Sequence, residues 1–294
     1  MAYCQSCKKE LPAVQKGICP YCGFQNSDQA VEFVFAHRYV VRETFNADRY
    51  GISYRGFDTV MGRPVQIRRL LTADKVTAED AAPYRQYERR ERFMDTCRKL
   101  AAIEVSSLPT VYTFKADGTG AYAVYAYEPS QTLAQVLAQC GVKSYADAKA
   151  LLLPVIVALK VMHDRKACHG NVSLQAIRQT DKTTLLCDAV GGTDILADIR
   201  AFLMVFLMVL CGSTMSEVGG FGSLALPEEL QTCLKAAFCS EEGLTADQLL
   251  DTIYHCGEVA VGKPVRELAM PPADLLALAE NCQVKVTALL TSLT

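Results

Sequence analysis

The reading turns on residues 162–188: Met162-His163 ends a helical pattern, His169-Gly170-Asn171-Val172-Ser173 follows as a loop, and Leu186-Cys187-Asp188 closes a short apolar run. His163 and His169 lie close enough in sequence to suggest a metal pair. Upstream, Tyr145 to Arg165 has helical spacing, with Pro154 inside it and expected to kink it. Downstream, Asp198 to Cys211, Pro227 to Phe238 and Thr245 to His255 are predicted helices. Val218-Gly219-Gly220-Phe221-Gly222 is glycine-rich, but no strand precedes it as a phosphate loop requires, so it reads as a connection.

On the other side of Glu128-Pro129-Ser130 the pattern changes to strands. Tyr39 to Phe45, Ile52 to Phe57 and Val65 to Leu71 are short and rich in β-branched and aromatic residues, with a turn at Met61-Gly62-Arg63-Pro64. Thr110 to Phe114 and Ala121 to Tyr127 flank Asp117-Gly118, a hairpin signal. Between the two sets, Pro83 to Ile103 is predicted helical, with Phe93, Cys97, Leu100 and Ala101 on one face. A β-rich half with one helix followed by a helical half is an α+β arrangement. No internal repeat is visible.

The 294 residues carry a formal net charge of -2, with 50% hydrophobic and 21% charged residues, which gives ample core and no disorder signature. The near-neutral balance argues against a dedicated nucleic-acid or membrane-surface binder. Ala201 to Leu210, the longest apolar run, is too short to span a bilayer. Cys4, Lys8, Lys9 and Glu10 fall where a signal peptide would be apolar, so a cytoplasmic protein is expected. Of 13 cysteines, four form Cys4-Gln-Ser-Cys7 and Cys19-Pro-Tyr-Cys22; the others are dispersed singly, as reduced thiols are. Two CxxC pairs can close a four-thiolate shell around one Zn²⁺, and Gly23 permits the tight knuckle. A redox pair would need a thioredoxin-like βαβ unit nearby, and none is evident. The expectation is a structural zinc ribbon over residues 1–28, folded by its metal, with a polar linker at Phe24 to Ala30.

Order and residues together resemble the protein kinase fold, and more narrowly the bacterial serine/threonine kinases that carry an N-terminal zinc ribbon. Arg38-Tyr39 resembles the start of the first strand, Tyr50 to Tyr54 the end of the glycine loop, and Asp58 to Arg68 the approach to the lysine strand. Phe93 to Ala101 resembles helix C; Met162-His163 with His169 to Ser173, the catalytic loop; Leu186-Cys187-Asp188, the magnesium strand; Asp198 to Gly212, helix F. The resemblance implies a two-lobed domain over 36–257, with a β-rich N-lobe at 36–128 and a helical C-lobe at 129–257. It also makes His163 and His169 structural rather than metal-binding.

Phosphoryl transfer needs cradled phosphates, metal ions and a carboxylate that orients the nucleophile. By the resemblance, this chain departs at nearly every such position. The glycine loop is Asn46-Ala47-Asp48-Arg49-Tyr50-Gly51, retaining only Gly51. Asp48 puts a carboxylate where phosphates would lie, a repulsion of roughly 4 kcal/mol at 4 Å and an effective dielectric of about 20. Arg68 replaces the strand lysine, and Thr96 the glutamate that would orient it. Arg68 reads either as a residual phosphate ligand or as an exposed, snorkelling arginine. Asn171 stands at the general base and Ala176 at a metal ligand. Asp188 reads as a remaining Mg²⁺ ligand or, preferably, as a strand-end residue. Gly170 replaces the arginine that pairs with an activation-loop phosphate. Only ten positions separate Asp188 from Asp198, so a peptide platform is missing.

These departures predict a pseudokinase that uses neither ATP nor Mg²⁺ and acts by binding a protein partner. The alternatives are a weak, atypical ATP-binding kinase relying on Arg68 and Asp188, and nucleic-acid binding through the ribbon's Lys8, Lys9 and Lys16. Residues 270–294 are predicted to form an amphipathic helix: after Met270-Pro271-Pro272, the residues Leu275, Leu278, Cys282, Val286 and Leu289 make one apolar stripe. That stripe either packs back on the helical lobe or makes a homodimer or partner contact.

Overall fold

The computed structural model describes residues 2–3, 10–11, 33–48, 50–70, 83–117, 120–212, 226–239 and 243–256. Cys4, Cys7, Cys19 and Cys22, the linker at 24–30, the glycine-rich stretch 218–222 and the amphipathic segment 270–294 lie outside the described residues. The chain divides into two compact units: Met1–Ala102 with Pro109–Glu128, and Ile103–Leu108 with Pro129–Thr294.

In the first unit, β1 (Ala2–Tyr3) pairs antiparallel with β2 (Glu10–Leu11), setting Tyr3 opposite Glu10. The main sheet contains β3 (Phe33–Phe35), β4 (Tyr39–Ala47), β5 (Gly51–Asp58), β6 (Arg63–Leu70), β7 (Val111–Asp117) and β8 (Gly120–Ala126). Their order is β3-β4-β5-β6-β8-β7, with antiparallel neighbours throughout. The sheet begins at Phe33, ahead of the expected first strand at Tyr39, because β3 adds an edge strand to β4.

Period-two alternation places Tyr39, Val41, Ile52, Tyr54, Val65, Ile67 and Val124 in one buried cluster. The β5–β6 turn is held by Asp58, whose carboxylate accepts from the backbone of Val60 and Met61 at 3.1 and 3.2 Å. Arg38 donates to both of its oxygens at 2.8 Å, and that hydrogen bonding holds the Asp58 carboxyl below the usual carboxylate range.

Helix α1 (Pro83–Leu100) buries Phe93, Cys97 and Leu100, spaced four and three apart as the periodicity requires. It stops at Leu100, short of the expected Ile103, and Ala101 is exposed rather than on the buried face. The amide of Ala102 turns to the carbonyl of Lys99 at 3.1 Å, a tightened bond that ends the helix.

The second unit holds a small sheet of β9 (Gln131–Thr132), β10 (Ile177–Gln179) and β11 (Thr184–Leu186), in the order β11-β10-β9. Ser107 joins this unit, its carbonyl accepting from the Leu186 amide at 2.8 Å. Helix α2 (Leu133–Cys140) was not among the expected helices, although Thr132 and Gln135 form a complete capping box at its start. Helix α3 (Tyr145–Asp164), capped by Ser144, continues through Pro154 as one helix.

Helix α4 (Ile195–Cys211) begins before the expected Asp198 because Asp194 caps it, accepting from the Leu196 amide at 2.9 Å. Gly212 closes it with φ 67°, a left-handed cap. From Phe202 to Cys211 every residue is buried, so this stretch of α4 is apolar on all sides, as a helix packed within a core must be. Helices α5 (Glu228–Cys239) and α6 (Ala246–His255) complete it, the latter with a Thr245–Gln248 capping box. Among the described residues, no helix is long and apolar enough to cross a membrane.

Candidate functional site

The first unit brings together the residues of the expected phosphate loop. Asp48 sits in the turn between β4 and β5. Its Oδ1 accepts from the amides of Tyr50 at 2.8 Å and Gly51 at 3.0 Å, closing an Asx turn. Arg68, on β6, reaches the same carboxylate: its Nη2 donates to Oδ1 at 2.7 Å and Oδ2 at 2.9 Å. Its Nη1 donates to Ser53 Oγ at 3.3 Å, directly across the β5–β6 register.

The Arg68 side chain is 0% exposed and that of Asp48 14%. Two expectations change here. Arg68 is not a surface or snorkelling arginine, and Asp48 does not present an unneutralised charge. The roughly 4 kcal/mol of Coulomb energy becomes an attraction between the two, offset by their desolvation. Asp48, where repulsion was expected, takes the place in Arg68's surroundings that was assigned to a glutamate at Thr96.

Gly51 makes room for this arrangement. A Cβ there would collide with the Arg69 carbonyl and lie 3.2 Å from the Arg68 guanidinium. Gly51→Ala is expected to cost about 2–3 kcal/mol, since backbone and a buried charge must both shift. Urea unfolding of the full chain measures it.

Asn46 is half-buried at the end of β4, paired in register with Ser53, and Thr96 is buried on α1. Tyr125, on β8, is buried with its hydroxyl 3.7 Å from Cys97 Sγ on α1. Burial pushes the Cys97 thiol up to about 12.

The second unit contains the loop and the strand end. Asp198, buried at 2% exposure near the start of α4, organises them. Its Oδ2 accepts from the His169 amide at 2.6 Å and its Oδ1 from the Gly170 amide at 2.8 Å. His163 Nε2 stands 3.1 Å from Oδ2; an acceptor-only carboxylate requires that nitrogen to carry the proton. Both histidines are therefore built into the loop's scaffold. Among the described residues, no cluster of three or more potential ligands could hold a metal ion.

Asn171 is buried and donates from Nδ2 to the Asp188 carbonyl at 3.1 Å. Asp188 itself is buried in a left-handed conformation, φ 61°, two residues past the end of β11. Its Oδ2 accepts from Arg178 Nη2 at 3.2 Å, a partner on β10 that was not anticipated from the sequence. Ala176, at 0% exposure, offers no donor atom.

The short segment after Asp188 folds back on the loop. The amides of Val190 and Gly191 donate to the His169 carbonyl at 2.9 and 3.2 Å, and that of Gly192 to Cys168 at 3.2 Å. Ala189 and Val190 are buried beneath it. This packing explains Gly170: at φ 75° a Cβ would lie 2.6 Å from the Gly192 nitrogen, so no arginine fits.

No family model matches the chain, and no curated protein matches it. Solved structures do. The apo form of PpkA-294 superposes with a TM-score of 0.56 over 77% of this chain and 100% of that one, at 18% identity. Rad53 1–466 in complex with AMP-PNP gives 0.57 over 73% of this chain and 64% of its own, at 12% identity. The fold is kinase-like. At these identities the likeness concerns the path of the chain: a curled antiparallel sheet with helices, on which this sequence places its own side chains.

Proposed function

We propose that this kinase-like chain is a pseudokinase, a module without phosphoryl transfer that works by binding a protein partner. The observation that carries the reading is the Asp48 carboxylate held between two loop amides and the buried Arg68. Loop amides and a strand cation are the groups that kinases direct at ATP phosphates. Here they are directed at an internal anion, covalently part of the same turn. A nucleotide would have to displace that carboxylate at its own electrostatic cost. The Arg178–Asp188 pair similarly engages the one carboxylate left for Mg²⁺, and Asn171 replaces a base with an amide.

The expected result is no thermal shift with ATP, with or without Mg²⁺, and no transfer of labelled γ-phosphate with Mg²⁺ or Mn²⁺. Asp48→Gly combined with Arg68→Lys can restore nucleotide binding but not transfer, because the segment after Asp188 still folds back on residues 168–169. Transfer by the parent chain that disappears in Asp188→Ala would overturn the reading and establish an atypical kinase.

The reading includes an N-terminal zinc ribbon. The donor set fits Zn²⁺: four cysteines in two CxxC pairs supply four thiolates. In sequence, Cys4 and Cys7 fall between β1 and β2, whose pairing sets Tyr3 opposite Glu10. Metal analysis of the purified chain should return about one zinc per molecule. The Cys7→Ser, Cys22→Ser double variant should return none; zinc content unchanged by it rules the ribbon out.

A further inference from the structure

An open groove of about 570 Å³ runs along α3 and α6 in the second unit. Leu153 and Val157, one turn apart on α3, line it together with Leu250 and Tyr254, one turn apart on α6. Asp247 and Asp251, again one turn apart, edge it, Asp247 beside Lys160 at 3.4 Å and Asp251 beside His255 at 3.3 Å. Tyr254 is 61% exposed, a large aromatic surface left to water beside an apolar floor. Lys149 Nζ donates to the carbonyls of Tyr254 and Cys256 at 2.5 and 3.4 Å, fixing where the chain leaves α6, beside the groove.

We propose that residues 273–289 of this same chain dock in the α3–α6 groove as a helix. Its occupant needs apolar side chains at one-turn spacing to meet those of the two helices. Leu275, Leu278, Cys282, Val286 and Leu289 supply that stripe. Glu280 falls on the side opposite the stripe, so the face turned to the groove is apolar.

Reach is ample. Seventeen steps separate Cys256 from Ala273. At about 3.3 Å each they span up to about 55 Å, whereas α6 is about 15 Å long. A tether of this kind sets a local concentration on the order of millimolar, which a free partner or a second copy must exceed. The inference does not rest on the absence of phosphoryl transfer.

Hydrogen exchange on the full chain, with light scattering at several concentrations, tests it. In the Leu278→Glu, Val286→Glu double variant, amides of 246–256 should exchange about tenfold faster, with the mass remaining that of a monomer. Tyr254→Glu, an exposed position that leaves the fold intact, should accelerate exchange in 273–289 similarly. Unchanged exchange in both variants, or a parent chain whose 273–289 amides are unprotected, overturns the proposal. So does acceleration accompanied by dissociation of a dimer, which assigns the groove to a second copy.

Discussion

Asp198→Ala should destabilise the second unit by about 4 kcal/mol, because one side chain terminates three donors at once. The amides of His169 and Gly170 and the ring of His163 all converge on its carboxylate, buried at 2% exposure. Alanine leaves each donor without that acceptor, the His163 and His169 groups in buried positions and the Gly170 amide in a partly buried one. An orphaned donor costs about 1–3 kcal/mol, so three of them exceed any gain from desolvating less charge.

For a unit of this size the melting temperature should fall by about 10 °C. Asp198→Asn keeps one acceptor oxygen but turns an NH₂ toward the others, so it should lose about half as much, roughly 2 kcal/mol. The midpoint of urea unfolding measures both. A loss below about 0.5 kcal/mol for the alanine variant would mean that the loop is held by other contacts.

The second large effect concerns the ion pair in the first unit. Asp48→Asn should cost about 3 kcal/mol, since it removes a full negative charge from a guanidinium with 0% exposure. Arg68→Met should cost about 2–3 kcal/mol: Asp48 keeps its amide bonds and 14% exposure, but its countercharge goes.

The two losses should not add. In the double variant the buried charge and its counterion leave together, so a coupling of about 2 kcal/mol is expected from the cycle. A surface arginine and a solvated aspartate would instead give single effects within about 0.5 kcal/mol and no coupling. The cycle therefore decides directly whether Asp48 acts as the internal anion on which the functional proposal depends.

Most of the secondary structure was legible in the residues because it is written in local periodicity. The strands around Tyr39, Ile52, Val65 and Ala121 and the helices at Tyr145, Asp198, Pro227 and Thr245 lie within a few residues of their expected places. The misses also have local causes. Helix α2 is only eight residues long, and its announcement is the Thr132–Gln135 capping box rather than a long stripe. Strands β9 and β10 contain two and three residues, too few to establish a period. Helix α4 starts early because Asp194 accepts the Leu196 amide, which a reading centred on the apolar run overlooked.

The sequence alone supplied residue identities at the positions the kinase resemblance assigns: an amide at Asn171, a methyl at Ala176, and ten positions from Asp188 to Asp198. Those statements need only the identity of a residue and its place in an order. Which charges meet was decided by tertiary structure. Asp48 and Arg68 are 20 positions apart and meet because the β5–β6 register sets Arg68 across from Ser53 while the Asx turn folds Asp48 back over it. Arg178 reaches Asp188 because β10 and β11 pair side by side, and Gly170 is glycine because residue 192 returns against it. Strand register and loop return depend on contacts between distant segments, and a linear sequence carries no local trace of them. The same two charges read as a repulsion and a surface arginine along the chain, and as one buried pair once the sheet forms.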